Sequence, residues 1–405
     1  MSNPLENKHI LLGVSGSIAA YKGAELASKL TQAGCVVNCL LTQSAEKFVS
    51  PLTFQSLTGN KCFTDADLWG GEGHIVHVQL GRTADLLLIA PASANTIAKL
   101  AHGLADNLVS ITALAARCPV VIVPAMDAGM FSQPATQANV QLLQSRRVTF
   151  IGPVEGHLAS GLEGKGRMKD VQDILNQVRW IFSQGGPLAR RKIVVTAGGT
   201  QEAIDPVRVI SNRSSGKQGY AIAQAALDNG AEVTLITTPT ALPNPFGAQI
   251  VLVETAEEMR KAVLANIPEA LALIMTAAVA DFRPVHQQEE KIKKEKGLKE
   301  IQLENTADIL LEVAHKKLKI NPGLRVIGFA AETQDIFKNA QKKLESKHLD
   351  IIAVNDINSP EAGFGTDTNK VSLLFANGSS EDLPLMKKSE VAEKIMLTLI
   401  NWLAE

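Results

Sequence analysis

Two short apolar runs each end in a cluster of small and hydroxylated residues that could cradle an anion. The first is His9-Ile-Leu-Leu-Gly13-Val-Ser-Gly16-Ser17-Ile18-Ala-Ala-Tyr-Lys22. Its backbone N–H groups and two hydroxyls fall at the start of a helix-like pattern, a geometry that binds phosphate. The same glycines also suit a plain tight turn, and G-x-x-G-x-x-A matches dinucleotide fingerprints only loosely. The next strand pattern runs into Leu41-Thr42-Gln43-Ser44, with no acidic residue to close it. A hydroxyl pair there suits a mononucleotide better than the ribose of NAD. Ala90-Pro-Ala-Ser93-Ala-Asn-Thr96 and Pro124-Ala-Met-Asp127-Ala-Gly-Met130 follow two more strand patterns, at the strand ends where ligands bind. His77 and the glycine-rich stretch Gly161-Leu-Glu-Gly-Lys-Gly-Arg-Met168 complete the candidates in this half.

The second cluster is Thr196-Ala-Gly198-Gly199-Thr200-Gln-Glu202, followed by Asp205-Pro-Val-Arg208-Val-Ile-Ser-Asn212-Arg-Ser214-Ser215-Gly216-Lys-Gln-Gly219. Ser214 or Ser215 could simply cap the following helix, and Gly216 could simply turn. The length of the whole motif argues for a second anion cradle at a helix start. Thr276-Ala-Ala-Val-Ala-Asp281 follows a buried-strand pattern, where Asp281 can accept from a ribose or base, or hold a metal. The run Glu290-Lys291-Ile-Lys293-Lys294-Glu-Lys296 reads by default as a solvated loop. From its place after Asp281 and before another strand, it can instead fold over a triphosphate as a lid.

These residues need strand ends to hold them, and the chain supplies strands and helices in alternation. Ile10–Gly13, Val36–Leu41, Leu86–Ala90, Val120–Val123 and Arg147–Ile151 read as strands. Lys22–Ala33, Asn95–Leu104, Leu108–Ala116 and Val171–Phe182 read as helices. Beyond Ser183–Arg191, a linker with Gly185, Gly186 and Pro187 as breakers, the style repeats. Ile193–Thr196, Glu232–Thr237, Ala272–Thr276, Val326–Gly328 and Ile351–Val354 are strand-like. Tyr220–Asn229, Ala256–Asn266, Asp335–Lys347 and residues 389–403 are helix-like, and Val371–Phe375 with Asn377-Gly378 predicts a hairpin. The expectation is an α/β protein of two doubly wound, Rossmann-like domains, a flavodoxin-like one over 1–182 and a second over 192–405.

The 405-residue length suits two domains. Apolar residues are 45% and charged residues 20%, with a net charge of −1, which gives no electrostatic case for nucleic acid or a membrane surface. The apolar runs are of strand length, so no membrane span is expected, and the first eight residues have no signal-peptide core. Cys35, Cys39, Cys62 and Cys118 form no C-x-x-C pair. They read as small buried reduced thiols rather than zinc ligands, which fits the cytoplasm.

The motifs Gly13–Lys22, Ala90–Thr96, Pro124–Met130 and Gly164–Met168 resemble those of the flavin-containing cysteine decarboxylases. Over residues 8–400 the chain resembles the bifunctional phosphopantothenoylcysteine decarboxylase / phosphopantothenate–cysteine ligases of coenzyme A synthesis, in the same domain order. The resemblance implies FMN held by Gly16, Ser17, Ile18, Thr42, Ser44 and Ser93 between subunits of a trimer. It implies His77 as the catalytic histidine beside the flavin, and a flap over the substrate from about Gly156 to Met168. For the second half it implies that CTP and Mg²⁺ activate 4′-phosphopantothenate as an acyl-cytidylate, which the amine of cysteine then attacks. Asn212 would handle the acyl-cytidylate and Lys291 would be the essential lid lysine. Met275, Thr276, Ala277, Asp281, Ala307, Asp308, Ile309, Leu310, Phe329, Lys343 and Lys347 would contact the nucleotide. Arg208, Ser214, Ser215 and Gly216 would hold the phosphate of phosphopantothenate, in a ligase half that is dimeric.

Two positions depart from the family's usual pattern: Asp127 replaces an asparagine, and Ser160 replaces a cysteine in the flap. An ionised Asp127 is acceptor-only and would repel a substrate carboxylate. A serine hydroxyl is a far weaker acid than a thiol, whose reference pKa is about 8.5. His157 and Lys165 are nearby alternative acids. A second reading therefore makes the chain a ligase whose first half is only an FMN-bearing scaffold. A third, a non-enzymatic binding protein, is opposed by Asn212, Asp281 and Lys291.

Overall fold

The apolar runs become the central strands of two largely parallel sheets. A computed structural model describes residues 3–68, 73–293, 300–332, 336–356 and 365–404. Residues 294–296 of the lid run and the start of the helix expected at Asp335 lie outside them. The first sheet holds β1 (His9–Val14), β2 (Val36–Leu41), β3 (Cys62–Phe63), β4 (Leu86–Ala92), β5 (Val120–Pro124) and β6 (Thr149–Phe150). Its order is β3-β2-β1-β4-β5-β6, with every neighbour parallel. Because side chains alternate along a strand, Leu12 and Leu88 enter the core under helices Ala20–Gln32 and Val171–Ser183. Leu11 and Leu87 enter the opposite core, with Val109 and Leu143. Each such side chain stabilises the fold by about 1.5–3 kcal/mol. Chain order reverses between β1 and β4, and the crevice at their carboxyl ends is the switch point where this fold binds ligands.

The glycine-rich stretch expected as a flap belongs to a hairpin, β7 (Val154–His157) against β8 (Glu163–Arg167), antiparallel. Its glycines allow backbone contact. Met126 N–H donates to Gly166 O at 3.0 Å, and a Cβ on Gly166 would stand 2.3 Å from Met126 O.

The chain divides into two compact units, Ser2–Phe182 and Ser183–Glu405. The breaker-rich segment 183–191 is no free tether. Leu188 is fully buried, and its N–H donates to Asn229 O at 2.9 Å within the second unit. That unit carries β9 (Lys192–Ala197), then β10 (Gln201–Ala203) paired with β11 (Val209–Ser211). β12 (Glu232–Thr237), β13 (Gln249–Leu252) and β14 (Ala270–Met275) precede the pair β15 (Phe282–Pro284) and β16 (Leu303–Asn305). β17 (Arg325–Glu332), β18 (Ile351–Asp356), β19 (Thr368–Asn369), β20 (Val371–Phe375), β21 (Ser380–Asp382) and β22 (Met386–Lys387) complete it. The main sheet runs β13-β12-β9-β14-β17-β18-β20-β21. Its first six strands are parallel, and the expected hairpin at Asn377-Gly378 supplies the antiparallel edge.

Candidate functional site

In the first unit the turn after β1 is tied to the turn after β4. Ser15 is buried; its Oγ donates to Pro91 O at 2.9 Å and accepts from Ser93 N–H at 2.8 Å. A Cβ on Gly16 would lie 2.5 Å from Ser44 Cβ, so glycine lets the β1 and β2 turns meet. Gly16, Ser17 and Ile18, then Thr42 and Ser44, then Ser93, thus gather at three adjacent strand ends. Helix Ala20–Gln32 starts with no side-chain cap and no acidic residue in its first turn; the Ala20 and Lys22 N–H groups turn back to Ser17 O and Ala19 O, and the positive end of the helix dipole there favours an anion. Ser93 accepts from Thr96 N–H and Thr42 Oγ1 from Ala45 N–H, both at 3.3 Å. A glycine cradle beside an uncapped helix start fits the phosphate of a mononucleotide.

Asp127 and Ser160, 33 residues apart, touch. Ser160, at the tip of the β7–β8 hairpin, donates its hydroxyl to Asp127 Oδ2 at 2.7 Å, while Gly129 N–H donates to Oδ1 at 2.9 Å. The Ser160 hydroxyl first, then the Gly129 N–H, hold the Asp127 carboxyl below the usual carboxylate range. His157 pairs with Glu163 across the hairpin at 2.8 Å, and Lys165 stands 6.0 Å over the Phe131 ring. His77 stands elsewhere, half-buried on helix Gly73–Thr83, which packs through Gly81 against Ala115. Its Nδ1 is buried without a hydrogen-bond partner. Among the described residues no hydrogen bond joins it to Asp127 or Ser160.

In the second unit the glycine-rich turns shape a cavity of about 780 Å³. Gly216 (φ 74°) occupies the N-cap position of helix Lys217–Asp228, and no side chain caps that helix. Neither Ser214 nor Ser215 therefore acts as its cap, and both line the cavity with Gly216. A Cβ on Gly219 would stand 2.5 Å from Thr276 Oγ1, so glycine there brings the helix onto the end of β14. Asn212 Nδ2 donates to Val279 O at 3.0 Å, across the same cavity. Met275, Thr276, Ala277 and the exposed Asp281 form one wall. Ala307, Asp308, Ile309 and Leu310, at the start of helix Ile309–Ile320, form another, with Phe329 and Lys347. Asp308 caps that helix by accepting from Leu311 N–H at 3.1 Å and pairs with Lys347 at 2.9 Å.

Three expected site residues lie outside that lining. Lys343 sits one turn before Lys347, whose N–H donates to Lys343 O. Arg208 Nη1 binds Asp205 Oδ2 at 2.7 Å and Ile292 O at 3.3 Å. Ile292 N–H also donates to Asp205 Oδ2, at 3.2 Å, so the base of the lid run is fastened to the Asp205–Arg208 motif and carries the exposed Lys291 beside it. Burial alone would raise the Asp205 carboxyl. The N–H groups of Val207, Ile292 and Arg208, with the Arg208 charge, outweigh that and hold it low. Among the further lining residues to which the sequence gave no role are Lys217 and Gln218, within the glycine motif, and Asn355, Asn369 and Lys388. The signals for them were the motif that holds Lys217 and Gln218, and Asn355, polar just past an apolar strand. Among the described residues no group of three or more His, Cys, Asp or Glu is placed to hold a metal ion, and no helix is long and apolar enough to cross a membrane.

The chain matches the family model "Flavoprotein" over residues 1–182 and the model "DNA/pantothenate metabolism flavoprotein C-terminal domain" over residues 188–403. It is 45% identical to the coenzyme A biosynthesis bifunctional protein CoaBC of Bacillus subtilis, over 97% of this chain and 96% of that one. The CoaBC of Haemophilus influenzae is 41% identical, over 98% of both chains. This chain belongs to the CoaBC family. Among solved structures it is similar to the C-terminal domain of a CoaBC, 38% identical, covering 54% of this chain and 99% of that one with a TM-score of 0.46. It is also similar to the FMN-dependent cysteine decarboxylase SpaF, 35% identical, covering 44% and 99% with a TM-score of 0.39. In this CoaBC-family chain the switch-point turn belongs to the flavoprotein half and the cavity to the C-terminal half.

Proposed function

We propose that the C-terminal cavity joins 4′-phosphopantothenate to cysteine at the expense of CTP, and that the N-terminal half decarboxylates the 4′-phosphopantothenoylcysteine so formed to 4′-phosphopantetheine. The chain is a bifunctional enzyme of coenzyme A biosynthesis, with ligase and flavin-dependent decarboxylase activities. The observation that carries the ligase reading is the uncapped helix start at Gly216, opening into a cavity that Asn212 and Asp281 also line.

In the ligase step the carboxylate of phosphopantothenate attacks the α-phosphorus of CTP and pyrophosphate leaves. The amine of cysteine then attacks the acyl carbon, CMP leaves, and the amine gives up a proton. Open N–H groups at Gly216 offset phosphate charge, and Lys291 closes from the lid over the transferring phosphorus, where stabilising developing charge has most effect. Asp281 accepts from the ribose, and the Asn212 amide turns to the acyl group. Arg208 steadies the lid through Asp205 as well as serving the substrate phosphate. Mg²⁺ would enter with the triphosphate, held by phosphate oxygens and one or two carboxylates, of which the cavity offers Asp281 and Asp308.

In the first half, Gly16, Ser17, Ile18, Thr42, Ser44 and Ser93 would hold FMN, which when bound supplies reversible two-electron chemistry. His77 offers an unpartnered ring nitrogen able to hold a proton. Asp127 and Ser160 set the hairpin over the substrate. A scaffold-only role for this half is not favoured, because the CoaBC relatives align through it and because Asp127 and Ser160 are joined rather than idle. The assembly belongs to the proposal: a trimeric flavin half, which would cover the exposed Ile18 and Tyr21, and a dimeric ligase half. Four free cysteines fit a cytoplasmic setting.

The deciding experiment incubates the protein with 4′-phosphopantothenate, cysteine, CTP and Mg²⁺ and reads product masses. The mass of 4′-phosphopantetheine is expected. Accumulated 4′-phosphopantothenoylcysteine would remove the decarboxylase from the proposal. Lys291→Gln is expected to cut ligation about 10²–10³-fold with the flavin spectrum unchanged, and undiminished ligation would refute the lid assignment.

A further inference from the structure

One end of the ligase cavity has no part in the reading above. It is walled by Lys217 and Gln218 at the start of helix Lys217–Asp228, Asn355 at the end of β18, Asn369 on β19, and Lys388. Asn369 is 3% exposed; its Nδ2 donates to Gln218 Oε1 at 3.3 Å, while its Oδ1 is buried with no partner. Asn355 Oδ1 is likewise buried and unpartnered. Buried acceptors are rarely left unmet, and two on one cavity wall call for a ligand that brings N–H donors. The same wall carries cations. Lys388 is 8% exposed and donates to Thr366 O; Lys217 donates to Asp367 Oδ1 at 2.7 Å and to Gly365 O at 2.8 Å. Among the described residues Asp367 pairs with Lys217 and also faces Lys388, and its side chain is 86% exposed. Of these residues Lys217 and Lys388 line the cavity and Asp367 does not, so the wall presents cations there.

We propose that this end binds the zwitterionic head of an α-amino acid, the cysteine co-substrate, with its carboxylate toward Lys217 and Lys388 and its amine toward the Oδ1 atoms of Asn355 and Asn369. A pyrophosphate or phosphate group would satisfy the lysines but leave both acceptors unmet. An α-amino acid satisfies both sets with two groups on one carbon. The cations serve a second purpose, because positive neighbours favour loss of the ammonium proton. The neutral amine is the form that attacks, and it keeps two N–H groups for the asparagines. Burial first, and the charge of Lys217 second, already push the Lys388 ammonium below its ordinary pKa; the negative charge of an incoming carboxylate acts against that shift.

The inference rests on the ligase reading, and the test separates the two. Wild type, Asn369→Leu and Lys217→Gln are compared, Lys217 being half-buried at a helix start, where glutamine keeps the length of the side chain and removes its charge. Pyrophosphate release from CTP and 4′-phosphopantothenate without cysteine reports activation alone. Amide formation is then measured with cysteine and with cysteamine, which lacks the carboxylate. In both variants the KM for cysteine should rise about tenfold or more, as loss of a hydrogen bond to a charged group implies, with the pyrophosphate burst retained. In Lys217→Gln the preference for cysteine over cysteamine should fall by a similar factor. An unchanged KM for cysteine, or a rise confined to CTP or phosphopantothenate, overturns the assignment. A wild type without any pyrophosphate burst overturns the ligase reading itself.

Discussion

Two residues that look like losses when read singly are a matched pair. Asp127 offers only acceptors, so whatever stands opposite must donate, and the Ser160 hydroxyl does so at 2.7 Å. An asparagine opposite a thiol would make a different contact. Exchange at either position alone should therefore cost more than exchange at both. Decarboxylation is expected to fall in Asp127→Asn and in Ser160→Cys, and the double variant should recover at least about fivefold over the product of the two losses. Strictly multiplicative losses would show that the two act independently. The pH profile gives a second reading. The Asp127 carboxyl is depressed, so the ionised pair is present at neutral pH and is lost only as pH falls through that lowered value. In Ser160→Ala the largest cause of the depression is gone, and the acid limb should move up toward about 3.9. The sequence marked both residues as chemically odd but gave no sign that they meet, because the contact depends on a hairpin whose glycines read as looseness.

That hairpin shows which elements were legible and which were not. Strands buried on both faces announce themselves as apolar runs, and β2 and β12 were read to the residue. Helix Pro51–Thr58 was missed because it buries only Phe54 and Thr58, too little for a period to emerge, although Ser50-Pro51 carries a cap and a helix-start proline. Helix Ile309–Ile320 was missed in the same way: its cap, Asp308, was noticed as a ligand contact and not as a boundary. The hairpin's packing is a matter of glycine geometry. Gly166→Ala places a Cβ against Met126 O at 2.3 Å and Ala128 N at 3.0 Å, backbone atoms that cannot turn aside. The hairpin should lift at a local cost of about 1–3 kcal/mol, seen as faster hydrogen exchange at the Met126 amide with strand β5 unaffected. Protection equal to wild type would mean that the turn adapts. The cysteines follow from the strands as well. Cys39 and Cys62 are register partners on β2 and β3. Burial pushes the Cys62 and Cys35 thiols up to about 12 and Cys39 well above its ordinary value. These three should resist a thiol reagent at pH 8 in the native protein and react once it is unfolded.

Across the molecule, two sheets of one general design carry different chemistry, so function follows from what each set of strand ends presents. The second set depends on a wall built from the far side of its sheet. Helix Ile309–Ile320, whose start lines the nucleotide end of the cavity, is braced to helix Ala256–Asn266 by Arg260. Arg260 grips Glu257 at 2.7 Å and Glu312 at 3.0 Å. The Arg260 hydrogen bond outweighs partial burial and takes the Glu257 carboxyl down to about 2. A carboxyl lowered on folding adds stability that is complete above its unfolded value, about 4.3, and is lost as pH falls toward about 2. With 37% of that side chain exposed, solvent screening reduces the effect to about 1 kcal/mol. Glu257→Gln should therefore be less stable than wild type by about 1 kcal/mol in urea unfolding at pH 7. The two should converge as the acid end is approached, with the Michaelis constant for CTP rising if the brace positions the cavity wall. A stability difference that persists unchanged at low pH would mean that Glu257 acts through packing rather than through its charge on Arg260.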